Sequence, residues 1–508
     1  MKPRFTRRDF LKVASMAPLL GVRPSGIGQR KPFPAEGAGA ENILVILFDT
    51  LSARHIGLYG YARDTMPNLA RFAERATVYH AHHSAGNYTT PSTGSFFTGT
   101  YPWRHRALSH QSTVDESYVA RNLFSAFGDN THTRVAFSQN YLVNLLLYQL
   151  RKNLDAFTLP SDIALVDYNF SDQAFFGDYV VASRSERAYL KKPGKFSNSL
   201  FLFPIFWLLK TFDQRRIKES LATQFPRGVP GYHDMFYPLN ETIDWIAQQL
   251  QTLRQPFLAY MHLMPPHDPS APSAEFVNIF WDGYKPLSKP PHVFWEGHPD
   301  WFLNEQAVYY DEYIAYVDSE FGRLHDFLEK GGFLENTWVV FTSDHGELFE
   351  RGIWKHTTRV LYEPVVHVPL LISAPGQRVR EDVYVPTSTV DLLPSLLHFA
   401  GKPVPDWCEG KVLPPFGKET DRAIFIVEAK SNPKAGPLVK ATLAMIKGKY
   451  KLIKYVGYEK LRGYFELYDL ENDPEEMNNL IESNHPMGPQ FQDELNRKIE
   501  QVNEPYLR

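Results

Sequence analysis

The sequence predicts an α/β fold: a doubly wound, mostly parallel sheet followed by a small C-terminal antiparallel α+β subdomain. Unbroken apolar runs at 43–48, 257–263 and 338–342 are typical of strands that are buried on both faces. Segments with apolar residues at helical spacing separate these runs, which indicates alternating strands and helices. Ligand sites in such sheets form beyond the carboxyl ends of the strands, so the residues that follow each run are the candidates for chemistry.

Each helix and strand is predicted from its own local pattern. The first strand ends at Asp49, and helices are predicted where apolar residues recur three and four positions apart, around 69–76, 243–253 and 310–328. The last of these ends at the Gly331-Gly332 pair. A further strand is predicted at 368–372.

The predicted domain organisation has three parts. Residues 1–40 form an export signal and linker, 41–415 a catalytic α/β domain with an insertion at about 140–235, and 416–508 a C-terminal subdomain. The last part contains short strand patterns at 442–446, 450–455 and 464–467 and a terminal helix near 490–502.

Charge and cysteine content exclude two classes of protein. Lys and Arg number 54 against 57 Asp and Glu, a net charge of −3, whereas a general nucleic-acid binder usually has a basic excess. We therefore expect no nucleic-acid partner. The single cysteine, Cys408, excludes an intramolecular disulfide and a cysteine-based zinc cluster.

Two apolar segments bear on location. Arg7-Arg8, followed by Phe10-Leu11-Lys12 and a short apolar run, resembles a twin-arginine signal, which predicts export to the periplasm or cell envelope; the alternative is a basic tail. The run at 200–209 is far shorter than the roughly 20 residues that span a bilayer. We favour a buried helix or lid for it over a peripheral membrane contact.

Five segments carry a family resemblance when they are taken in chain order. They are 49–51 with 57–69, 89–99, 262–267, 343–347 and 467–476. Together they resemble sulfatase-like members of the alkaline phosphatase superfamily, over about 42–482. The resemblance implies an alkaline phosphatase-like fold and hydrolysis or transfer of an anionic ester group.

Asp49, Asp344 and His345 are the candidate metal ligands. They supply two hard oxygens and one imidazole, a set that suits one divalent ion such as Mn, Zn or Mg better than Ca, which prefers oxygen ligands alone. The alternative is that the two carboxylates only cap the ends of their strands.

The nucleophile segment departs from the sulfatase pattern. Sulfatases carry a five-residue motif: cysteine or serine, any residue, proline, serine and arginine. The first residue of this motif is converted to formylglycine. Here Pro91-Ser92 places Thr89 at that position, and Thr93 replaces the arginine. Thr50 stands where many sulfatases have a second aspartate, and the lysine and histidine that the family carries near 137–140 have no clear match.

Thr89 changes the expected chemistry. A formylglycine hydrate expels sulfate by re-forming its aldehyde, an exit that a threonine sulfate lacks, whereas a threonine phosphate can be resolved by attack at phosphorus. The resemblance implies a threonine nucleophile, as in phosphoethanolamine transferases and lipoteichoic acid synthases, and makes Thr89 a further metal ligand. Pro91 suits the first turn of a helix with Thr90 as its cap, which would direct the helix N-terminus at the anion. The alternative is a loop threonine in a degenerate site.

His267, Lys355 and His356 are the candidate electrostatic and proton-transfer residues, since each can stabilise non-bridging oxygens or protonate a leaving group. His267 follows a strand end in a family segment, whereas Lys355 and His356 lie in the loop after Gly346, whose length varies in the family. His262 and His55 are interpreted as structural. The predicted function is a metal-dependent hydrolase or transferase that acts on a phosphate or sulfate ester, lipid- or glycan-linked, through a covalent intermediate on Thr89. The alternatives are a sulfatase that uses unmodified threonine and a catalytically degenerate binding protein.

Overall fold

Strands and helices alternate along most of the chain, as the sequence predicts. The structure, a computed structural model, describes residues 41–128, 131–158, 202–232, 235–236, 238–419 and 421–507. The strands, in chain order, are β1 (Asn42–Phe48), β2 (Thr77–Tyr79), β3 (His82–His83), β4 (Thr133–Ser138), β5 (Ala156–Thr158), β6 (Gly231–Tyr232), β7 (Met235–Phe236), β8 (Phe257–Leu263), β9 (Thr337–Ser343), β10 (Phe349–Glu350), β11 (Ile353–Trp354), β12 (Leu370–Ser373), β13 (Glu381–Val383), β14 (Thr387–Ser388), β15 (Ile424–Glu428), β16 (Ala441–Lys447), β17 (Tyr450–Val456) and β18 (Phe465–Asp469). The helices are α1 (Pro67–Ala73), α2 (Thr89–Thr98), α3 (Pro102–His105), α4 (Leu123–Ala126), α5 (Tyr141–Leu150), α6 (Leu202–Leu221), α7 (Leu239–Thr252), α8 (Asp300–Lys330), α9 (Glu363–Val366), α10 (Leu392–Phe399) and α11 (Met487–Asn503).

The central sheet is mostly parallel. Its strand order in the described part of the chain is β13-β2-β12-β9-β1-β8-β4-β5, and β12 alone among these eight runs against its neighbours. β1 lies between β8 and β9 and pairs with both in parallel. The three continuous apolar runs are therefore the three central strands, buried on both faces, and the predicted fold class is confirmed.

Helices cover both faces of the sheet. On one face, alternate residues of β1, such as Val45, pack in one cluster with Phe97 on α2 and Leu146 on α5. On the other face, Phe321 of the long helix α8 contacts Phe341 of β9 at a ring-centroid distance of 4.7 Å. Both faces are shielded from water, so the sites available for chemistry lie at the strand ends.

A four-stranded antiparallel sheet, β15-β16-β17-β18, forms the C-terminal part of the fold. Helix α11 packs on it through Phe491, Leu495 and Ile499. The predicted terminal strands and helix are confirmed, and their observed limits differ from the predicted ones by one to three residues.

The described residues divide into two units, one that contains 202–223 and one that contains 41–158 and 224–507 apart from the residues not described. The first part of the predicted insertion, 140–158, contributes α5 and the edge strand β5 to the central sheet. The exact limits of the insertion and of the domains stay predictions. The predicted export signal, 1–40, lies outside the described residues.

Helix α6 contains most of the apolar run at 200–209. The buried-helix interpretation is wrong at Trp207 and Leu208, whose exposed fractions are 44% and 63%. None of the helices in the described ranges has the length and hydropathy needed to cross a membrane. The peripheral membrane contact stays a prediction.

Candidate active site

Polar side chains from four parallel strands meet at the carboxyl edge of the central sheet. Asp49 directly follows β1, Asp344 and His345 directly follow β9, Asn140 follows β4, and His262 is the penultimate residue of β8. All five are buried, with exposed fractions of 4% or less. Residues far apart in sequence converge here because parallel strands end at the same edge.

Three acceptor atoms face one another in this cluster. His345 Nδ1 lies 3.0 Å from the carbonyl oxygen of Gly346 and so carries the ring proton, which leaves a lone pair on Nε2. That Nε2 lies 3.4 Å from Asp344 Oδ2 and 3.7 Å from Asp49 Oδ1. Among the described residues neither oxygen has a hydrogen-bond partner.

Buried acceptors without donors are costly, and two carboxylates beside a lone pair need a positive charge between them. The ligand atoms of Asp49, Asp344 and His345 lie within 4.8 Å of one another. The donor set and the unsatisfied oxygens therefore fit the predicted divalent cation. A cation there supplies charge compensation and Lewis acidity for an anionic ester.

The second oxygen of Asp49 is held by two donors. His262 Nε2 lies 3.0 Å from Oδ2 and Asn140 Nδ2 donates to the same atom over 2.5 Å. Burial favours the neutral acid, but the hydrogen bond from His262 and the charge of His267 outweigh it, so the pKa of Asp49 is lowered. Asp49 is thus fixed as a carboxylate with one oxygen free to bind a cation.

Asp344 is stabilised less well as an anion. Its Oδ1 accepts from the backbone amides of Thr50, over 3.2 Å, and His345, over 3.0 Å. Burial and the neighbouring charge of Asp49 raise the pKa of Asp344 well above its ordinary value. Without a cation, two buried carboxylates at this spacing repel each other.

Thr89 is the first residue of α2, with Tyr88 as the N-cap residue. The prediction that Thr90 caps this helix is wrong, because the helix begins one residue before it. Pro91 still lies in the first turn, where its missing amide hydrogen costs no hydrogen bond. Thr89 Oγ1 lies 3.3 Å from His345 Nε2 and accepts from Asn140 Nδ2 over 3.2 Å. The hydroxyl therefore borders the candidate metal ligands at a helix N-terminus, which favours anions.

His267 and His356 lie beside the metal cluster. The rings of His345 and His356 have centroids 4.3 Å apart, and those of His356 and His267 are 5.1 Å apart. Burial lowers the pKa of His267, but the charges of Asp49 and Asp268 outweigh it and raise that pKa. His267 is therefore the more readily protonated of the pair.

His356 forms a neutral pair with Glu347. Its Nδ1 lies 3.1 Å from Glu347 Oε1, and both residues are buried. Burial raises the pKa of Glu347 to about 8, and burial together with the charge of His267 lowers the pKa of His356 to about 3. The protonated Glu347 then donates to Nδ1, which places the ring hydrogen of His356 on Nε2.

Lys355 contacts the segment of His267 rather than the metal cluster. Its Nζ donates to Asp268 Oδ2 over 2.7 Å and lies 4.2 Å from the centre of the Trp354 ring. Its backbone has φ of +78°, a conformation that non-glycine residues rarely adopt. Lys355 therefore acts on Asp268, the residue that follows His267.

Three residues at the site have no role in the sequence-based prediction. Asn140 follows the end of a strand, and this position could have predicted that it belongs to the site. His262 is interpreted from the sequence as structural, although it belongs to a family segment. Thr50 has φ of +60°, and its buried hydroxyl has no hydrogen-bond partner within the described residues. Strained backbone of this kind is concentrated at functional sites.

Comparison with known proteins identifies the family. The family model described as Sulfatase matches residues 41–402, and the model described as N-sulphoglucosamine sulphohydrolase, C-terminal, matches residues 350–505. The first match covers well over half of the chain. The chain belongs to the sulfatase family. It is an ester hydrolase of that family, whose members bind a divalent metal ion.

Individual relatives of the sulfatase family agree with this assignment. The chain is 24% identical to the choline-sulfatase of Rhizobium meliloti (strain 1021), over 89% of this chain and 84% of the relative. It is 28% identical to human (Homo sapiens) arylsulfatase K, over 47% of this chain and 51% of the relative.

Solved structures of about 18% identity share the sulfatase fold. The phosphonate monoester hydrolase of Agrobacterium radiobacter superposes with a TM-score of 0.65, covering 92% of this chain and 96% of the other. A protein solved in complex with its substrate D-glucosamine-2-N,6-O-disulfate superposes with a TM-score of 0.62, covering 92% and 98%.

Proposed function

We propose that the protein cleaves a phosphate or phosphonate ester through Thr89 and a covalent phosphothreonine intermediate, with one divalent ion at Asp49, Asp344 and His345. The observation that carries the proposal is the position of Thr89 Oγ1. This hydroxyl lies 3.3 Å from His345 Nε2, at the start of α2, beside two carboxylate oxygens that have no donor within the described part of the chain. A divalent ion bound there polarises the ester and offsets its negative charge.

The chain's own residues orient the nucleophile. The Asn140 amide donates to Thr89 Oγ1 and so leaves the other lone pair of the hydroxyl for attack on phosphorus. A divalent ion held by Asp49, Asp344 and His345 would favour loss of the hydroxyl proton to water, and the bond from Oγ1 to phosphorus forms as the bond from phosphorus to the leaving oxygen breaks. The N-terminal amides of α2 face the same position and stabilise negative charge as it develops there. The nucleophile and its orienting donor are both buried and held by regular secondary structure.

The histidines have different tasks in the proposed reaction. His356, neutral and protonated on Nε2, donates a hydrogen bond to a non-bridging oxygen. His267 has the raised pKa and supplies the proton to the leaving oxygen. Lys355 is a positioning residue, because its ion pair with Asp268 fixes the turn that carries His267.

Phosphorus chemistry is favoured over sulfur chemistry by the nucleophile itself. A phosphothreonine can be hydrolysed by attack of water at phosphorus. Formylglycine releases sulfate by re-forming its aldehyde, and threonine cannot form that aldehyde. A structural relative is a phosphonate monoester hydrolase, and the relatives with sulfate esters in their names make sulfate the second candidate.

A substrate panel tests the proposal. Purified protein is stripped of metal, reloaded with Mn²⁺, Zn²⁺, Mg²⁺ or Ca²⁺, and assayed on 4-nitrophenyl phosphate, a phosphodiester, a phenylphosphonate ester and 4-nitrophenyl sulfate. We expect the phosphorus esters to be cleaved faster than the sulfate ester, with Mn²⁺ or Zn²⁺ above Ca²⁺. Faster cleavage of the sulfate ester, or equal activity after metal removal, contradicts it.

A further inference from the structure

Two cationic side chains lie over one tyrosine ring, and a third contacts the segment that follows His356. Arg359 and Lys440 lie over the ring of Tyr458, with the guanidinium carbon 5.7 Å and Lys440 Nζ 5.5 Å from its centroid. Lys430, which follows β15, lies beside them, because its Nζ donates to the carbonyl oxygen of Thr358, the residue before Arg359. We call Arg359, Lys430 and Lys440 the basic face.

The basic face is continuous with the active site. Lys430 Nζ donates to the carbonyl oxygens of Thr357, over 2.6 Å, and Thr358, over 3.3 Å. These residues directly follow His356. Asn87, two residues before Thr89, donates to the carbonyl oxygens of His356 and Thr358 over 3.1 and 3.0 Å. One layer of backbone thus joins the nucleophile segment to the basic face.

The charges of the basic face are not neutralised by partners. In the parts of the chain that the structure describes, no carboxylate oxygen lies within 4.0 Å of the charged nitrogens of Arg359, Lys430 or Lys440. The carboxylates whose charges act on Lys430 are those of Glu428, which is 1% exposed, and Glu296.

The cations on the other side of the site are paired. Arg227 lines a cavity of about 460 Å³ beside Glu347 and makes an ion pair with Glu312. Lys355 is paired with Asp268. Arg359 and Lys440 are therefore exposed cations without an ion-pair partner among the described residues, so an anion can reach them without breaking an ion pair. Lys430 is half-buried beneath them.

We propose that the basic face is a subsite for a second anionic group of the substrate, a sulfate or phosphate apart from the one that is cleaved. The natural substrate is then a polyanionic ester. This inference rests on the proposed function, because it describes the leaving-group part of the same substrate. It assigns specificity to side chains that touch neither Thr89 nor the metal ligands.

Calorimetric binding tests the subsite without requiring turnover. The metal-loaded full-length protein is titrated with glucosamine 6-O-sulfate and with glucosamine-2-N,6-O-disulfate. We expect the disulfate to bind about tenfold more tightly, since two exposed cations contribute up to about that factor. The advantage should shrink as salt rises, because salt screens exposed charges. Equal binding of the two sugars, or no binding of the disulfate, overturns the proposal.

Matched variants assign the effect to the basic face. Arg359→Gln with Lys440→Gln should reduce the preference to about twofold or less, whereas Arg359→Lys with Lys440→Arg, which keeps both charges, should retain it. Lys285→Gln, an exposed lysine away from this face, should also retain it. A preference that survives the double glutamine substitution refutes the subsite.

Turnover of 4-nitrophenyl esters, measured on the same samples, separates the two proposals. Absent turnover of every ester with an intact preference for the disulfate contradicts the proposed function and supports the subsite. Turnover without any preference contradicts the subsite alone.

Discussion

The side-chain amide of Asn140 donates a hydrogen bond to the hydroxyl of Thr89 over 3.2 Å. The same nitrogen donates to Asp49 Oδ2, and the amide oxygen accepts from the backbone of Leu142 at the start of α5. One side chain therefore links the proposed nucleophile, a candidate metal ligand and a helix cap. Its contributions to catalysis and to stability can be separated by substitution.

Asn140→Asp should impair catalysis while the fold is retained. The new carboxylate still caps α5, but it cannot donate to Thr89 or Asp49, so we expect kcat to fall by about 10²-fold. Asn140→Ala is the matched control, because it also loses the cap and should lower stability by about 1 kcal/mol. Steady-state kinetics and urea denaturation measure the two effects. An unchanged kcat in Asn140→Asp would show that the amide does not orient Thr89.

Asp344→Asn should abolish metal binding and leave the protein folded. Two buried carboxylates repel each other in the metal-free protein, so removing one charge should raise the melting temperature of the metal-free form. Added Mn²⁺ or Zn²⁺ should raise the melting temperature of the wild type only, since ligands stabilise the state that binds them. Metal content is measured on the same samples, and full occupancy in the variant refutes the assignment of Asp344 as a ligand.

Lys451→Met should destabilise the protein strongly. Lys451, on β17, is fully buried, and its Nζ lies 2.8 Å from both Glu363 Oε1 and Glu476 Oε1. Removing the cation leaves two buried carboxylates uncompensated, which costs about 3–5 kcal/mol. Chemical denaturation measures the loss.

The control for Lys451→Met is Lys449→Met. Lys449 directly precedes β17 and pairs with Asp469 at the surface. Exposed pairs contribute little, so this variant should unfold at nearly the wild-type denaturant concentration. Equal stability of the two variants would contradict the role given to the buried cation.

Glu466 should make stability depend on pH. It is 3% exposed and accepts from the hydroxyls of Tyr362 and Tyr455, and burial raises its pKa to about 7 from 4.5 in the unfolded chain. The folded state therefore binds more protons between these values, so the contribution of Glu466 is largest below pH 4.5 and is lost as the pH rises through about 7.

Glu466→Gln removes this titration. Between pH 4.5 and pH 8 the stability difference should shift in favour of the variant, by up to about 3 kcal/mol. Urea denaturation at both pH values checks it. A difference that does not change with pH means that Glu466 titrates alike in the folded and unfolded states.

The fold was accessible to sequence reasoning because its central strands are uninterrupted apolar runs. β8 spans the predicted residues 257–263, and β1 and β9 differ from prediction by a residue or two. Short elements were missed: β2 has three residues, too few for a period-2 pattern to stand out. The insertion is predicted to begin at about 140, because the sequence there carries no boundary signal. In the structure the residues just after 140 form α5 and the edge strand β5 of the central sheet.

The candidate metal ligands were also accessible, because strand ends mark them in the sequence. Their hydrogen-bond partners were not. The link between Asn140 and Thr89 joins residues 51 positions apart and depends on the register of β4 beside β8. Lys355 and His356 are predicted together as catalytic candidates, and the sequence does not show that Lys355 Nζ donates to Asp268.

Mass spectrometry of the quenched enzyme tests the central claim most directly. Wild-type protein, loaded with metal and mixed with a phosphodiester or phosphonate ester, is quenched with acid during turnover and digested. We predict a phosphoryl or phosphonyl adduct on Thr89, none in Thr89→Ala, a fall in kcat of about 10⁴-fold or more in that variant, and partial activity in Thr89→Ser. Turnover by Thr89→Ala at the wild-type rate, with no adduct on the wild type, would contradict the account.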